Sequence, residues 1–540
     1  MVYIRGASRS ILRALEDITS YRVAGFMFSP AFRAKRWDGR EHLLKYSTKR
    51  GYHAPVGLAT DICRAITREG EHYHVTFKTR LKHRRRRLVW NSEIELRDYQ
   101  REAVRAILGK PVPGSGIVKM PIRSGKTRTG ARIIWKIGRP AIFIVPSQLL
   151  LYQTRDALAT IFPATGIGMV GDSEDDPSYI TVASIQTLAA WREGGHWKMK
   201  RPEKADRAAW LERHGWEPSG THWRKGRIKP LTPVKAIERE AKDREEERKG
   251  PIKLRYRELI RRFDVAIFDE CHHIRGESGW RLVMNDIDAR FKIGLSATAY
   301  LDNESENERG IIWLKATCGP IRIDIPVSRL VEAGYLMRQN VRMYRVTTPD
   351  REGLKWSATL QRDCIVENRE RNALIARLAA EAVASKLMKV IVIAHLHLHI
   401  AAICDAMDDL GLEYRTITGK DSASAREELI EGLVDGDYSV LIGNVLGEGI
   451  DIPEVECVIN AEGGADIKSA VQRQRNLTVS EGKREALFID FYDDTNDYFR
   501  RHSEARLEVY RSEESYDVEI VDEKKASPIH FTGRRIGGKG

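Results

Sequence analysis

Met120-Pro121-Ile122-Arg123-Ser124-Gly125-Lys126-Thr127 is the stretch on which the reading of this chain turns. It follows a short apolar run, Ile117-Val118, and opens a segment of helical spacing that continues to Ile137. Backbone N–H groups at such a helix start point at an anion. Ser124 and Gly125 then belong to a phosphate cradle, Lys126 reaches the β- and γ-phosphates of a nucleotide, and the Thr127 hydroxyl ligates Mg²⁺. The full pattern has glycine where Met120 stands, so only the Gly-Lys-Thr half matches. A second stretch supports the first. Asp269-Glu270-Cys271-His272 ends the apolar run Phe263 to Phe268, which reads as a buried strand. Ligands of parallel sheets gather at the carboxyl ends of strands. Asp269 would hold the metal's water shell and Glu270 would polarise the attacking water, with His272 completing the tetrad. Together the two stretches describe a site that hydrolyses ATP with Mg²⁺.

A chain of 540 residues is too long for one core and should divide into about three or four domains. Its 42% hydrophobic and 31% charged residues are those of a globular protein. No run of about 18 apolar residues suggests a membrane span, and the start Met1-Val2-Tyr3-Ile4-Arg5-Gly6 lacks the apolar core of a signal peptide. Six scattered cysteines without a Cys-x-x-Cys pair argue against structural zinc and a disulfide framework. A reducing cytoplasm fits, the host's if the chain is phage-encoded. Net charge is +14, and residues 1 to 90 carry 20 Lys plus Arg against 7 Asp plus Glu, a local +13. Charge so one-sided points to a polyanion bound by the N-terminal part.

Residues 1–90 read as a small α+β domain, with helical spacing from Ser10 to Ser20 and strand-like alternation from Tyr73 to Lys78. Between them, Phe32-Arg33-Ala34-Lys35-Arg36-Trp37-Asp38-Gly39-Arg40 interleaves aromatics with cations, which suits stacking on bases while phosphates are held. The plainer reading is an aromatic core with Asp38-Gly39 as a hairpin turn. Both are expected to hold, with Trp37 packed and Arg36 and Arg40 outward. Lys82 to Arg87 reads as a basic linker or a solvated hinge. From Leu96 two sets of short buried strands follow. The first is Ala141 to Val145, Ile180 to Val182, Val265 to Phe268 and Ile293 to Leu295; the second is Val390 to Ile393, Val440 to Ile442, Val458 to Ile459 and Leu487 to Ile489. The fold class is α/β, with two parallel-sheet domains over 91–326 and 327–500. An insertion at 191–250 holds five of the eleven tryptophans and ends in the mixed-charge helix Glu238 to Lys249, with a hairpin expected around Pro218-Ser219-Gly220. It is either a Trp-stabilised appendage or a nucleic-acid contact. The extension 501–540 should add a short helix and a strand from Tyr516 to Val521, then a disordered end.

The ordered motifs resemble those of superfamily 2 helicases from Leu96 to about Phe491. That resemblance implies two RecA-like domains of the P-loop NTPase fold, with ATP in the cleft and nucleic acid across the top. It implies that Arg97 and Gln100 read the adenine, that Ser147 and Gln148 with Gln186 and Thr187 grip the DNA backbone, and that Ser296-Ala297-Thr298 couples hydrolysis to movement. In the second domain Thr418 and Gly419 would also grip the backbone, and Gly449 and Asp451 in Gly447-Glu448-Gly449-Ile450-Asp451 would meet the nucleotide. The family's Gln-Arg-x-Gly-Arg-x-x-Arg appears here as Gln472-Arg473-Gln474-Arg475-Asn476-Leu477-Thr478; with one residue deleted, Arg475 takes the place of the first finger arginine and Thr478 replaces the second, and Arg473 would compensate. Phe32-Arg33 with Trp37-Asp38-Gly39-Arg40 and Leu43-Leu44-x-Tyr46 is similar to the start of the phage UvsW-type recombination helicases. This implies an ATP-driven motor on branched DNA, active in fork regression, Holliday-junction branch migration and unwinding of RNA–DNA hybrids; a monomer in solution is expected, and Arg36, Trp37 and Arg40 are the residues of the interleaved stretch expected to touch the DNA. Two other expectations stand beside it: the motor subunit of a restriction or remodelling complex, and a nucleic-acid-binding scaffold with weakened ATPase.

Overall fold

The computed structural model describes residues 2–522 apart from 24, 50, 71, 73–80, 82, 110–113, 122–123, 196–206, 276–278, 298–307, 337–338, 347–357, 387–388, 446–451, 453–454, 464–486, 495 and 513–515. The Tyr73 to Lys78 strand and the disordered end expected from Gly533 to Gly540 lie outside the described residues. The chain divides into two compact units, Met1–Lys119 with Thr127–Ile323, and Met120–Lys126 with Asp324–Gly540. Among the described residues no helix is long and apolar enough to cross a membrane.

In the first unit an eight-stranded sheet runs in the order Ile321–Asp324, Ser115–Lys119, Phe291–Ser296, Val265–Phe268, Ala141–Val145, Ile180–Ser184, Ile167–Gly171, Glu174–Asp176. Its central pairings are parallel, and the last, short strand pairs antiparallel to its neighbour. The inner strands are buried at nearly every position, as sheets covered by helices on both faces require. The second unit carries seven parallel strands in the order Arg415–Ile417, Val440–Gly443, Val390–Ile393, Cys457–Asn460, Leu487–Asp493, Gln339–Val346, Tyr516–Asp522. All eight strands of the two sets expected from Leu96 onward are present. The helix Asp497–Ser512 packs against strand Leu487–Asp493, and strand Tyr516–Asp522 pairs along Gln339–Val346, so the second sheet extends past residue 500.

The N-terminal module pairs Val2–Ile4, Gly51–Ala54 and Lys45–Ser47 in an antiparallel sheet. Helix Arg9–Ile18, started by the Ser8 hydroxyl accepting from the Ile11 N–H at 3.3 Å, packs on helix Ala59–Arg68. The module shares its core with the first large domain. Ile11, Leu15, Tyr21, Leu43, Leu58 and Ile62 are buried together with Ile312 and Ala316 of helix Glu308–Cys318. The Trp313 indole N–H donates to the Tyr21 hydroxyl at 3.3 Å, and the Arg22 N–H donates to Glu308 Oε2 at 3.1 Å.

Two local expectations change. Asp38-Gly39 does not turn a tight hairpin: strands Ser20–Arg22 and Arg40–His42 pair across a long connection, and Asp38 Oδ1 accepts from the Arg40 N–H at 2.9 Å at the foot of the second strand. Arg40 is half-buried rather than outward, because that pairing lets its guanidinium donate to Ser20 Oγ at 2.9 Å and to Ser20 O at 3.0 Å. The basic segment before Leu88 is laid along the first domain. Arg86 N–H donates to Gly138 O at 2.8 Å, Arg85 donates to Lys136 O at 2.7 Å, and the Arg86 guanidinium lies 4.8 Å from the Tyr179 ring centre.

The insertion folds as its own small core of Trp210, Leu211, Trp216, Trp223, Ala236 and Ile237. Its hairpin joins Glu217–Ser219 to His222–Arg224, where the sequence places it. Buried Glu240 accepts from the Trp216 indole at 2.9 Å, Lys225 at 2.8 Å and Arg244 at 3.0 Å. Burial alone would raise that carboxyl, but these donors hold it below its usual range. The helix carrying it, Pro233–Ile260, runs on unbroken until Tyr256, Leu259 and Ile260 enter the core of the first domain.

Gly57 approaches helix Glu308–Cys318 so closely that an added Cβ would meet Lys315 O at 2.2 Å and Ala316 O at 2.5 Å. Gly57→Ala should therefore destabilise the seam by about 1–3 kcal/mol. Limited proteolysis between residues 70 and 90 will check this, with unchanged protection counting against the shared core. In the second unit, burial first and the Arg371 charge next push the His399 imidazole down to about 3. A histidine that stays neutral when folded but protonates when unfolded loses stabilisation as pH falls below about 6.5. Denaturant unfolding of the wild type should weaken between pH 6.5 and 4 by more than that of His399→Gln.

Candidate functional site

Three neighbouring strands of the first sheet end at one edge. The register sets Lys119 opposite Ser296 and Phe268 opposite Gly294. Out of the first strand comes Met120 to Gly125, leading into helix Lys126–Ile137. Gly125 adopts φ +78°, a left-handed conformation that glycine reaches without Cβ strain, and Ser124 Oγ donates to Pro121 O at 2.6 Å. Met120, standing where the usual pattern has glycine, is fully buried. Ile122 and Arg123 lie outside the described residues.

At the end of the second strand the tetrad is buried, with Asp269, Glu270 and His272 all under a tenth exposed. Asp269 N–H donates to Ile144 O at 2.9 Å, extending the sheet pairing by one residue, and Asp269 Oδ1 accepts from the Glu270 N–H at 3.1 Å. Glu270 has φ +46°, uncommon for a residue with a Cβ and a form of strain typical of working sites. His272 Nδ1 lies 3.0 Å from Ser296 Oγ and 3.3 Å from Glu270 Oε2, so one imidazole edge joins the tetrad to the first residue of Ser296-Ala297-Thr298. Thr298 lies outside the described residues. Cys271 is fully buried against Gly294, which makes it a packing residue. A single carboxylate with a threonine hydroxyl suits Mg²⁺, which keeps waters and takes phosphate oxygens as its other ligands. Thr127 is half-buried in the first turn of its helix, and Asp269 stands at the strand end, both with the hard oxygen donors this ion needs.

Gln100 is buried and its Oε1 accepts from the Arg97 N–H at 2.9 Å, while the Arg97 guanidinium donates to Tyr99 OH at 3.0 Å. Ser147 caps helix Gln148–Ile161, its Oγ accepting from the Leu150 N–H at 3.3 Å. Gln148 Nε2 donates to Asp172 Oδ1 at 2.9 Å. Gln186, exposed next to Thr187 in the first turn of helix Ile185–Glu193, donates through Nε2 to Pro146 O. The two expected backbone-gripping stretches of the first unit are thus bonded to each other. In the second unit Thr418 N–H donates to Asp421 Oδ2 at 2.6 Å and Gly419 N–H to Asn444 Oδ1 at 3.1 Å. Asp172, Asp421 and Asn444 were missed by sequence reasoning: Asp172 and Asn444 are brought in by tertiary contact, for which the sequence offers no signal, whereas Asp421 is a local turn partner three residues after Thr418. Gly449, Asp451, Arg473 and Arg475 lie outside the described residues. In the N-terminal module Arg36 is exposed, and the half-buried Trp37 donates its indole N–H to Arg40 O at 2.7 Å.

A Cβ on Gly294 would fall 2.7 Å from Cys271 Sγ. Gly294→Ala should push the tetrad off the strand end and slow phosphate release from ATP by about 10²-fold, the cost of misplacing a reacting group by about 1 Å. Binding of a fluorescent ATP analogue should persist; an unaltered turnover would show that the tetrad tolerates the shift.

Residues 93–301 match the model described as "Type III restriction enzyme, res subunit", and residues 373–475 match "Helicase conserved C-terminal domain". The chain is 23% identical over 438 residues to the DNA 3′-5′ helicase XPB of Kineococcus radiotolerans, covering 79% of this chain and 64% of that protein. It is 21% identical over 435 residues to the DNA 3′-5′ translocase XPB2 of Sulfurisphaera tokodaii, covering 74% and 81% respectively. Among solved structures, bacteriophage T4 UvsW aligns over 96% of each chain at 18% identity with a TM-score of 0.35. A putative HsdR subunit fragment from Vibrio vulnificus aligns over 80% of this chain and 70% of that one, at 14% identity and a TM-score of 0.49. With both matched domains in order, two parallel sheets and the acidic tetrad at a strand end, the chain belongs to the superfamily 2 helicases, a family of ATP-dependent enzymes.

Proposed function

We propose that this protein is an ATP-driven DNA helicase or translocase that remodels branched DNA in recombination, replication or repair, through fork regression, Holliday-junction branch migration and unwinding of RNA–DNA hybrids. The observation that carries this reading is the fixed basic module. Residues 1–90 hold a net +13, and their core is shared with helix Glu308–Cys318 of the motor's first domain. DNA held by the module would therefore keep a constant position relative to the first sheet while the rest of the strand is moved. The 3′–5′ direction named for the relatives is adopted for this chain, as are DNA as the partner and the monomer as the working form.

In this mechanism Arg97 and Gln100 orient the base, and Ser124, Gly125 and Lys126 hold the phosphates. Glu270 orients the attacking water and takes its proton. His272 holds the Glu270 carboxylate in place and links it to Ser296. Thr127 and Asp269 would hold magnesium, which when bound would supply charge neutralisation at the phosphate oxygens. In the second domain Asp451 would meet the ribose and Gly449 the nucleotide, and Arg475, with Arg473 compensating for the arginine that Thr478 replaces, would stabilise the developing charge. Ser147, Gln148, Gln186 and Thr187 grip the strand in alternation with Thr418 and Gly419, through phosphate contacts that carry no sequence code.

Turnover is tested by phosphate release with and without DNA. DNA should stimulate the wild type, Lys126→Ala should stay at background, and Glu270→Gln should lose about 10²–10⁴-fold while still binding nucleotide. Equal rates in wild type and Lys126→Ala would favour the scaffold reading. A synthetic four-way junction tests the substrate, with ATP-dependent branch movement expected. Turnover without movement would favour the motor subunit of a restriction complex, the reading that the match over residues 93–301 supports.

A further inference from the structure

The N-terminal module holds an open pocket of about 600 Å³ whose walls are Met27, Phe32 and Trp37 and whose rim carries Arg33, Lys35 and Arg36. Of its walls Met27 is 59% exposed, and the next residue on the same short turn Phe26–Phe28, Phe28, is 73% exposed. Apolar side chains so uncovered forgo the stabilisation of burial, so a ligand that covers them is favoured. The pocket is also rigidly built. Phe26 and Phe32 meet edge to face at 4.7 Å, Arg33 Nε donates to Met27 O at 3.2 Å, and Arg36 N–H donates to Ala31 O at 2.9 Å. Lys35 is held at φ +54°, and Gly39 leaves room for the Phe26 ring, which a Cβ would strike at 2.5 Å. Asp38, the one carboxylate in the lining, is already engaged by the Arg40 N–H and by His42 at 2.7 Å.

We propose that this pocket takes one unpaired nucleobase, with the flanking phosphates held by Arg33, Lys35 and Arg36. A flat apolar face bordered by anions is what apolar walls under a cationic rim select, and a nucleotide combines the two. A base inside a duplex cannot present its face, since its neighbours stack on it. The pocket therefore distinguishes DNA with an unpaired position, as at a branch point or strand junction, from a plain duplex. The inference rests on the DNA-remodelling reading above, and adds which feature of the DNA the module recognises.

The test uses the full chain and three DNAs of equal length: a duplex with one unpaired 2-aminopurine, the fully paired duplex, and the bulged duplex with an abasic site in place of the base. The wild type should bind the first about tenfold more tightly than the other two and change its 2-aminopurine fluorescence, as expected for one stacked base. Met27→Glu, which sets a carboxylate at the pocket mouth, and Phe28→Ala should reduce the preference to about twofold or less. Both residues are exposed, so thermal melting and ATP turnover stimulated by paired duplex should match the wild type. Equal binding of the abasic DNA, or a preference unchanged in both variants, would overturn the proposal. So would a pocket-dependent affinity for an acidic aromatic peptide that the unpaired base cannot displace. Absence of DNA-stimulated turnover in the wild type would instead sink the remodelling reading itself.

Discussion

Backbone pairing among three parallel strands is the constraint on which the rest of the first unit depends. Fully buried strands must satisfy their N–H and C=O groups with one another, so their register is fixed by the sheet. Because Lys119 lies opposite Ser296 and Phe268 opposite Gly294, the chain leaves all three strands at one edge. The phosphate-loop sequence, the acidic tetrad and Ser296 are the residues that follow or close those strands. Asp269 shows how tight this dependence is: its backbone still pairs with Ile144, while its side chain already receives the Glu270 N–H. The strained backbone at Glu270 is tolerated because Cys271 is locked beneath it against Gly294.

Two additions surround this unit, and both are rigidly joined to it by apolar contact. The N-terminal module gives Tyr21, Leu58 and Ile62 to a core that includes Ile312 and Ala316. The insertion hangs from a helix whose first turns carry Ala236 and Ile237 in the Trp core and whose last turns carry Leu259 and Ile260 in the domain core. A charge-rich helix has little helical drive of its own from tertiary burial along its middle, and its i,i+4 pairs, such as Arg239 with Asp243, contribute only about 0.3–0.5 kcal/mol each. Its continuity depends on being anchored at both ends. Basic residues carried on such elements are presented from fixed positions.

Much of this was legible in the sequence where one physical signal dominates. Runs such as Ala141–Val145 and Val390–Ile393 are apolar throughout because both faces of a parallel sheet are covered, and they were placed correctly. Strands with mixed signals were not seen. Gln339–Val346 alternates Arg342 and Arg345 with buried neighbours, Ile167–Gly171 contains two glycines, and Arg415–Ile417 has one apolar residue. Side-chain direction was the hardest to read. Arg40 looked outward from its neighbours in sequence, but its partner is Ser20, brought close only by antiparallel pairing. Likewise the bonds of Gln148 to Asp172 and of Gly419 to Asn444 span separations of 24 and 25 residues.

The second unit shows why buried charge can be used where apolar packing would serve for stability alone. Asp490 is fully buried and accepts from Arg506 Nε at 2.8 Å, the Tyr510 hydroxyl at 2.8 Å, Asn460 at 3.2 Å and the Phe491 N–H at 2.8 Å. On the other face of the same strand, Arg371 donates to Asp493 Oδ1 at 2.9 Å and to Ala461 O at 2.6 Å. An apolar seam of the same volume would be about as stable, but it could slide. Here a shift of helix Asp497–Ser512 by one residue would leave an unpaired carboxylate and guanidinium in the core, at a cost of about 3–5 kcal/mol. The pairs thus admit one register for that helix. Through Ala461, Arg371 also fixes the point at which the chain leaves strand Cys457–Asn460 on its way to Gln472-Arg473-Gln474-Arg475. Arg371 itself lies over the Phe491 ring, 4.5 Å from its centre, on the opposite face of that strand from helix Asp497–Ser512.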